Sequence, residues 1–302
     1  MDDFFGGFVW EEDGKIIGYI TVQRADKYGA RWQIANVAVS PLWRGRGISR
    51  KLMETALEHA RARGGKWAVL QVYAENKIAY PLYQRLGFEV VGGVTDMEAP
   101  RAPKGVAPPS LPNLRPFVGG DWLQLYDLAN SQTGGRAQWW RPLRRGGFQP
   151  SIEAQLGERL WKTDGRRRLF RTAILPANTP AGRSATRLEA AAILTVERWS
   201  GPHKLQLWVR PTWWGSWEQG LVDWALNLLS PYPVWKVTTS IPHDFEAARN
   251  ALGARGFKPL RTLLTMILDV GSGATAASQA EEELPTGGET EPVELDNTFP
   301  ER

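Results

Sequence analysis

The feature that most constrains this chain is the stretch from Val37 to Ser49, where an apolar strand leads into an arginine- and glycine-rich turn and then into a helix. The helix is indicated by apolar residues that share one face and by a glycine pair that ends it: Ile48, Leu52, Ala56, Leu57, Ala60, Gly64 and Gly65. Gly45 and Gly47 allow a tight turn and a close approach of a ligand to the backbone. A helix start presents unpaired N–H groups at the positive end of the helix dipole. The stretch therefore predicts an anion site, suited to a diphosphate, with Arg44 and Arg46 at its rim.

A glycine pair alone is also consistent with a simple strand-to-helix corner that carries solvated arginines. The stretch is not a dinucleotide fingerprint, because its glycines have the wrong spacing, and it is not a Walker loop, because no Gly-Lys-Ser/Thr follows. A second segment narrows the choice. Residues 67–72 predict the next strand, and the segment from Asn76 to Phe88 follows it with Ala79, Tyr83 and Gly87 at regular spacing.

Both segments resemble one protein family. Arg44-x-x-Gly47-x-Ser49 resembles the Gln/Arg-x-x-Gly-x-Gly/Ala signature of the GNAT superfamily of N-acetyltransferases, in which this turn holds the pyrophosphate of coenzyme A. Ser49 departs from the expected Gly/Ala, as one small residue for another. The segment from Asn76 to Phe88 resembles the family's Asn-x-x-Ala-x-x-x-Tyr-x-x-x-Gly-Phe pattern, and the resemblance covers most of residues 8–92. It implies an α/β fold in which helices flank a twisted, mixed β-sheet.

The resemblance also implies a reaction, the direct transfer of an acetyl group from acetyl-coenzyme A (acetyl-CoA) to an amine. The residues that it assigns to coenzyme binding are Val37, Ala38 and Val39 for the pantetheine arm and Arg44, Gly45, Arg46, Gly47, Ile48 and Ser49 for the pyrophosphate. Tyr83 is predicted to be the general acid that protonates the leaving thiolate, because a phenol with a pKa of about 10 is protonated at neutral pH. Asn76 is predicted to fix the cofactor arm, to cap the following helix, or to do both.

The general base stays open at this stage. Many family members carry a carboxylate two or three residues before the apolar triplet, and Gln33 is the nearest match here. An amide cannot accept the proton, so Glu11, Glu12 or a chain of water molecules remain as alternatives. GNAT domains usually have a strand and two helices before the hairpin that we predict at residues 7–23. We therefore expect either that a second domain closes that side or that the chain is shortened at its start.

A second copy of the first motif is predicted further along the chain. At one constant shift in residue number the matched pairs are Val39 and Val209, Pro41 and Pro211, Trp43 and Trp213, and Gly45 and Gly215, while Gly87-Phe88 falls on Gly256-Phe257 after a one-residue deletion. A repeat unit as long as a whole domain indicates tandem domains rather than a solenoid. The shared letters are few, so a chance match is the alternative.

The second copy lacks the residues that the resemblance assigns to coenzyme A. The replacements are Trp214 for Arg44, Trp217 for Gly47, Phe245 for Asn76 and Leu252 for Tyr83. We therefore predict one coenzyme site per chain. Residues 122–235 hold 11 of the 15 tryptophans, which indicates an aromatic-lined groove, a packed face between domains or a tryptophan-rich core.

The predicted domains are 1–95 for the acetyltransferase domain, 96–113 for a linker, 114–271 for a degenerate GNAT-like domain and 272–302 for a disordered acidic tail. The tail carries eight acidic residues and one basic residue, a net charge of −7, which leaves +12 for residues 1–271. A basic body suits a phosphate-bearing ligand. Arginine clusters at 141–145 and 166–168 also suit nucleic acid, which ranks lower because no recognition module accompanies them.

Composition argues against several other classes of site and of protein. The chain has no cysteine, which excludes thiol nucleophiles and thiolate ligands, and its three scattered histidines predict no metal site. No apolar run approaches the roughly 20 residues that span a bilayer, and no signal peptide is visible, so no membrane association and a cytoplasmic location are expected. Three functions remain, in decreasing order of support from the sequence: an acetyltransferase, a coenzyme A-binding regulator or scaffold with little catalysis, and a nucleic-acid-binding protein. The pattern identifies neither the acceptor amine nor an oligomeric state.

Overall fold

The computed structural model divides the chain into two compact units. Unit 1 comprises residues 1–90 and 265–302, and unit 2 comprises residues 91–264. The residues that the structure describes are 5–26, 28–111, 113–118, 120–133, 143–148, 167–174, 187–271 and 293–294. Each unit contains a mixed β-sheet with helices, as the predicted α/β fold class requires.

Unit 1 is built around a βαβ element at its centre. Its helices are α1 (Ile48–Ala62) and α2 (Ala79–Arg85). Its strands are β1 (Phe5–Glu12), β2 (Lys15–Arg24), β3 (Arg31–Val39), β4 (Trp67–Tyr73), the Thr265–Asp269 part of β11 (Lys258–Asp269) and β12 (Val293–Glu294). Their order in the sheet is β12-β1-β2-β3-β4-β11. The pairs β1–β2 and β2–β3 are antiparallel, and β3–β4 is parallel with α1 as the crossover.

Helix α1 covers one face of this sheet. The helix residues predicted to share a face are all buried, together with Met53, and they contact β1, β2 and β3. Gly18 of β2 lies beneath the helix, where an added Cβ would approach Ile48 and Leu52 to 3.4 and 3.3 Å. The helix ends at Ala62 because Gly64, with a φ of 76°, takes a left-handed conformation that favours glycine. The burial of this apolar face fixes the start of α1, and hence the preceding turn, against the sheet.

Unit 2 has a sheet that is covered on both faces. Its helices are α3 (Asp121–Gln132), α4 (Glu218–Leu228) and α5 (Glu246–Gly253). Its strands are β5 (Glu89–Ala99) from residue 91 onwards, β6 (Leu114–Pro116), β7 (Arg167–Ile174), β8 (Ala190–Glu197), β9 (His203–Val209), β10 (Val237–Pro242) and the 258–264 part of β11. Alternate residues of β8 enter two cores: Ala190 and Leu194 pack in the core that holds α4, and Ala191 packs with Leu125 of α3. This explains why the run in β8 is almost continuously apolar.

The same series of elements occurs twice along the chain. The short 3-10 helix Pro41–Trp43 recurs at Pro211–Trp213, and the start of α1 at Ile48 recurs, at the same shift in residue number, as the start of α4 at Glu218. The strand that follows Gly-Phe in each copy begins at Glu89 (β5) and at Lys258 (β11), so the shift in residue number is one shorter here. These positions confirm the predicted internal repeat and its one-residue deletion.

The described structure differs from the sequence predictions at two points. An aspartate at the start of a helix predicts a cap, but the carboxylate of Asp121 accepts two hydrogen bonds from Arg115, at 2.6 and 2.8 Å, and one from the N–H of Val118. The cap position is Gly120, without a side-chain hydrogen bond. The predicted linker from 96 to 113 begins inside β5, because Met97 and Ala99 are buried and β5 pairs with β10 as far as Ala99.

Other predictions fall partly outside the described residues. The predicted tail at 272–302 is described only at Val293–Glu294, where β12 pairs with β1. Of the two arginine clusters, residues 141, 142 and 166 lie outside the described part. Among the described helices, none is both long and apolar enough to cross a membrane. Within the same residues, no group of three His, Cys, Asp or Glu side chains is arranged to hold a metal ion.

Candidate functional site

Strand β3 carries a bulge that opens one of its edges. Asn36 has a φ of 53°, and the register with β2 shifts beside it. Pairing with β4 runs only from Arg31 to Gln33, and residues 35–39 are no longer buried. A bulge bends its strand and interrupts the ladder. The end of β3 therefore separates from β4 and leaves an open edge just before the turn.

The open edge of β3 presents alternate backbone N–H groups. The N–H of Ser40 donates to Ile17 O in β2 at 2.7 Å. Because N–H groups alternate across a strand, those of Val37 and Val39 point away from β2. The N–H of Ala38 then points towards β2, where Ala38 is opposite Tyr19. Of the three predicted arm-binding residues, two are thus oriented to bind a ligand at this edge.

The turn after β3 forms a cradle of backbone N–H groups. Gly45 and Gly47 both have a φ of 79°, and no atom lies within 4 Å of where a Cβ would project from either. Among the described residues, no acceptor is found for the N–H groups from Gly45 to Ser49. The first turn of α1 contains no acidic residue. Five free donors at the positive end of a 15-residue helix constitute an anion site.

Two arginines flank this cradle, and contacts orient each of them. The Nε of Arg44 donates to Val39 O at 3.2 Å, at the end of the open strand edge. The guanidinium of Arg46 lies over the ring of Trp43, with a distance of 4.5 Å to the ring centre. Both arginines are exposed, so their remaining N–H groups are available to an anion.

Tyr83 lies in α2, with its ring buried and packed against Phe88 at 6.0 Å between ring centres. Burial raises the pKa of the Tyr83 hydroxyl, which keeps the phenol protonated at neutral pH. No acceptor for this hydroxyl is found in the described part of the chain. The geometry leaves a protonated phenol free to donate to a ligand.

Asn76 lies just before α2, whose cap position is Ile78 and not Asn76. Its Oδ1 accepts the N–H groups of Ile78 and Ala79 at 3.2 and 2.9 Å, so the side chain organises the turn that starts α2. The Nδ2 group of Asn76 has no acceptor among the described residues and remains a free donor. These turn contacts leave the other predicted role of Asn76, contact with a cofactor arm, available.

Of the candidates for a general base, Gln33 and Glu12 accept hydrogen bonds within the protein, and Glu11 stays unassigned. Gln33 accepts a hydrogen bond from Gln23 at 3.0 Å and lies on the paired part of β3, before the bulge. Glu12 accepts the indole N–H of Trp10 at 3.1 Å, whereas Glu11 is exposed.

The equivalent turn in unit 2 is filled from within. Trp214 donates its ring Nε1–H to Val209 O at 2.9 Å, which reproduces the contact of Arg44 with Val39. The carboxylate of Glu218 accepts the N–H groups of Gly215 and Trp217. Glu218 is the functional residue that the sequence analysis missed, since an acidic residue in the first turn of a helix is ordinary.

Comparison with known proteins shows which family this part of the chain resembles. The Acetyltransferase (GNAT) family matches residues 1–88, which hold the open edge of β3, the cradle and Tyr83. Residues 1–88 therefore match the GNAT family that the resemblance implied.

Individual relatives support the same assignment. An uncharacterised N-acetyltransferase of Methanocaldococcus jannaschii is 38% identical over 89 residues, which cover 28% of this chain and 39% of the relative. The mycothiol acetyltransferase of Thermobifida fusca is 46% identical over 54 residues, 18% of this chain and 17% of the relative. The chain spans less than half the length of these curated relatives. A GCN5-related N-acetyltransferase from Sphaerobacter thermophilus matches in structure with a TM-score of 0.54 and 17% identity, covering 89% of this chain and 82% of that chain. This match shows the fold, and it extends well beyond unit 1.

The residues of unit 1 fit coenzyme A. A diphosphate needs several N–H donors and positive charge, which the free amides from Gly45 to Ser49 and the two arginines supply. An arm that carries amide groups needs an unpaired strand edge, which the bulge at Asn36 supplies. The corresponding turn of unit 2 does not fit, because Glu218 already occupies its donors.

Proposed function

We propose that unit 1 transfers an acetyl group from acetyl-CoA to an amine by direct attack. The observation that carries this proposal is the row of free N–H groups from Gly45 to Ser49 beside the open edge of β3. These N–H groups have no acceptor in the described residues, so an external anion such as a diphosphate can accept their hydrogen bonds. The match of residues 1–88 to an acetyltransferase family supports the same ligand.

The chain's own groups divide the work of binding. The N–H groups of Gly45, Arg46, Gly47, Ile48 and Ser49 would hold the pyrophosphate, with Arg44 and Arg46 adding positive charge at the rim. Val37 and Val39 would hold the pantetheine arm through their backbone N–H groups, and the free Nδ2 group of Asn76 would hold its far side. Ala38 would keep the bulged strand attached to β2.

Acetyl-CoA supplies the activated acetyl group when it is bound. The N–H groups on the open edge of β3 polarise the carbonyl oxygen as negative charge develops on it. Tyr83 donates its proton to the departing thiolate, since its raised pKa keeps it protonated and its hydroxyl has no competing acceptor in the described residues. The attacking amine must be neutral, and water or Glu11 takes its proton.

A second candidate function is a coenzyme A-binding regulator or scaffold with little catalysis. The observation that favours it is Gln33, an amide bonded to Gln23 at the position where many family members carry a carboxylate. Without a base, coenzyme binding would persist while turnover would be slow. The acceptor amine separates the two functions, because only an acetyltransferase consumes acetyl-CoA when an amine is added.

The test combines a calorimetric titration with a turnover assay. We expect coenzyme A to bind with a stoichiometry of one per chain, because unit 2 fills its own cradle. We expect release of free coenzyme A to require an amine from a panel of small-molecule amines and peptide N-termini. Binding without turnover on any amine would favour the regulator, and a stoichiometry of two would contradict the assignment of unit 2.

A further inference from the structure

Unit 1 is completed by a strand segment from far along the chain. The Thr265–Asp269 part of β11 lies next to β4 in the sheet of unit 1, although all the residues of unit 2 separate the two in sequence. Met266 and Ile267 of this segment are buried. The segment therefore contributes to the core of the unit that holds the candidate site, although the family match ends at residue 88.

Hydrogen bonds hold both ends of this segment within unit 1. The N–H of Val270 donates to Lys66 O, just before β4, at 2.8 Å. The Nε of Arg61, near the end of α1, donates to Val270 O at 3.2 Å. At the start of the segment, the Nε2 of Gln71 in β4 donates to the Oγ1 of Thr265 at 3.4 Å. The side chains between these two anchors are thus held in fixed positions beside β4.

Leu268 of this segment lies against Gly87, which follows the end of α2. Gly87 has a φ of 89°, and a Cβ added to it would lie only 3.2 Å from the Cδ1 of Leu268. That distance is shorter than the optimal carbon–carbon separation of about 3.5–4.0 Å. Its counterpart in unit 2, Gly256, has a φ of 85°, but no described atom lies within 4 Å of its Cβ position. The left-handed conformation therefore occurs in both units, whereas the close contact with a leucine belongs to unit 1.

The turn at Gly87 is bonded directly to Tyr83. Helix α2 has only seven residues, so its end lies close to the tyrosine. The N–H of Gly87 donates to Gln84 O, and the N–H of Phe88 donates to the carbonyl oxygen of Tyr83, both at 3.0 Å. The ring of Phe88 also packs against the ring of Tyr83. A displacement of Gly87 would therefore move both the backbone and the ring of Tyr83.

We infer that Leu268 is a positioning residue for Tyr83: its side chain supports the turn at Gly87 and so holds the phenol where it can donate a proton. The inference rests on the proposed function, in which Tyr83 is the general acid. It goes beyond that function because the placement of the acid then depends on a residue outside the family-matched part of the chain. A general acid must lie within hydrogen-bond reach of the group that it protonates, so a small displacement reduces the rate.

The experiment compares three substitutions in the full chain. Leu268→Ala removes the support of the turn, and Leu268→Met restores most of the side-chain volume. Ile267→Ala removes as many carbon atoms from the neighbouring buried residue. Because successive side chains of a strand face opposite sides of the sheet, Ile267→Ala is the matched control for lost core packing. Leu268→Ala and Ile267→Ala are also made in a Tyr83→Phe background.

Leu268→Ala should lower kcat by about 10–10²-fold and leave the Kd for coenzyme A nearly unchanged, because a misplacement of about 1 Å can reduce a rate to this extent. Leu268→Met should restore most of kcat, and Ile267→Ala should lower the unfolding midpoint without this loss of rate. In the Tyr83→Phe background, Leu268→Ala should reduce kcat no further, because both changes remove one contribution. No loss in Leu268→Ala, an equal loss in Ile267→Ala, or the same loss in both backgrounds would each overturn the inference.

NMR of the tyrosine ring carbons provides a measurement that does not need turnover, and Tyr83→Phe identifies the signal of Tyr83. Burial raises the pKa of the Tyr83 hydroxyl. Leu268→Ala should therefore shift the Tyr83 signal and bring its pKa back towards the ordinary value, whereas Ile267→Ala should leave both unchanged. An unchanged signal in Leu268→Ala would overturn the inference, even in a chain that acetylates no amine.

If Leu268→Ala does not fold, Leu268→Val, which shortens the side chain by one carbon, replaces it in both measurements. We then expect smaller changes in the same direction, and the absence of any change would overturn the inference. Failure of the proposed function would appear differently, as a wild-type chain that binds no coenzyme A or as Tyr83→Phe with the wild-type kcat.

Discussion

The turns that start α1 and α4 share a glycine and a side-chain contact to the preceding strand, but differ in the acceptors of their N–H groups. Gly45 and Gly215 have φ values of 79° and 89°, and each follows a residue whose side chain donates to the end of the preceding strand. In unit 1 the N–H groups that follow have no acceptor in the described residues, and in unit 2 Glu218 accepts two of them. The glycine and the strand contact therefore occur in both turns, while the residue before the helix has a φ of 79° at Gly47 and −115° at Trp217.

This difference indicates which positions encode function in a repeated fold. The strand, the 3-10 helix, the glycine and the following helix recur in the same order and with the same spacing in both units. A pattern match to the backbone alone would assign a coenzyme site to both units. Two positions separate them: the residue before the helix, which is Gly47 in one copy and Trp217 in the other, and the first helical residue, which is Ile48 or Glu218.

The sharpest test of this comparison is Gly47→Trp, which gives unit 1 the residue of unit 2. We expect coenzyme A binding to fall below detection by calorimetry. The indole would enter the open space in front of Gly47, and the φ of 79° at this position disfavours any L side chain, at a cost of roughly 1–3 kcal/mol. Trp217 avoids this strain because its own φ is −115°.

A matched control separates blockage from strain. Gly64 has a φ of 76° and equally open surroundings, but it lies at the far end of α1. Gly64→Trp should therefore lose similar stability and keep coenzyme binding. Equal loss of binding in both variants would mean that strain in α1, rather than occupation of the cradle, controls affinity.

The next largest effect is expected at Tyr83. Tyr83→Phe keeps the ring and its packing on Phe88 but removes the proton donor, so kcat should fall by about 10²–10⁴-fold while coenzyme affinity stays nearly unchanged. Leu252 occupies the equivalent position in unit 2, and Leu252→Met should leave the kinetics unaltered. Steady-state kinetics with a saturating amine, combined with calorimetry, measure both quantities. If Tyr83→Phe keeps the wild-type kcat, water rather than Tyr83 is the proton donor.

The sequence predicted much of the fold because its signals are local. The hairpin predicted at 7–23 and the strand predicted at 67–72 are present, with bounds that differ by at most two residues. Apolar periodicity and glycine position report the backbone within one element. The same signals predicted the cradle and Tyr83 through two short motifs, and the GNAT family model matches residues 1–88, which contain both.

The parts that could not be predicted depend on contacts between distant residues. The bulge at Asn36 is a property of the register between β2 and β3, which the sequence of one strand does not specify. Asp121 has the identity of a helix cap, but Arg115 competes successfully for its carboxylate, and this pairing raises the pKa of the Arg115 guanidinium. Glu218 carries no sequence signal that distinguishes a solvated acid from a buried one.

The smallest effect in this series is expected from Arg44→Ala, and it tests whether charge or shape admits the diphosphate. The Nε of Arg44 already donates to Val39 O, so only its remaining N–H groups can bind an anion, and Trp214 shows that the strand contact itself needs no charge. We expect a loss of about 1–3 kcal/mol in binding, roughly 5–150-fold in Kd, with a weaker dependence on salt. Arg61→Ala is the matched control, because Arg61 also donates its Nε to a backbone carbonyl at 3.2 Å but lies near the opposite end of α1. If Arg44→Ala and Arg61→Ala weaken coenzyme binding equally, Arg44 contributes only through net charge. If Arg44→Ala is as severe as Gly47→Trp, side-chain charge rather than the open amide cradle distinguishes the two turns.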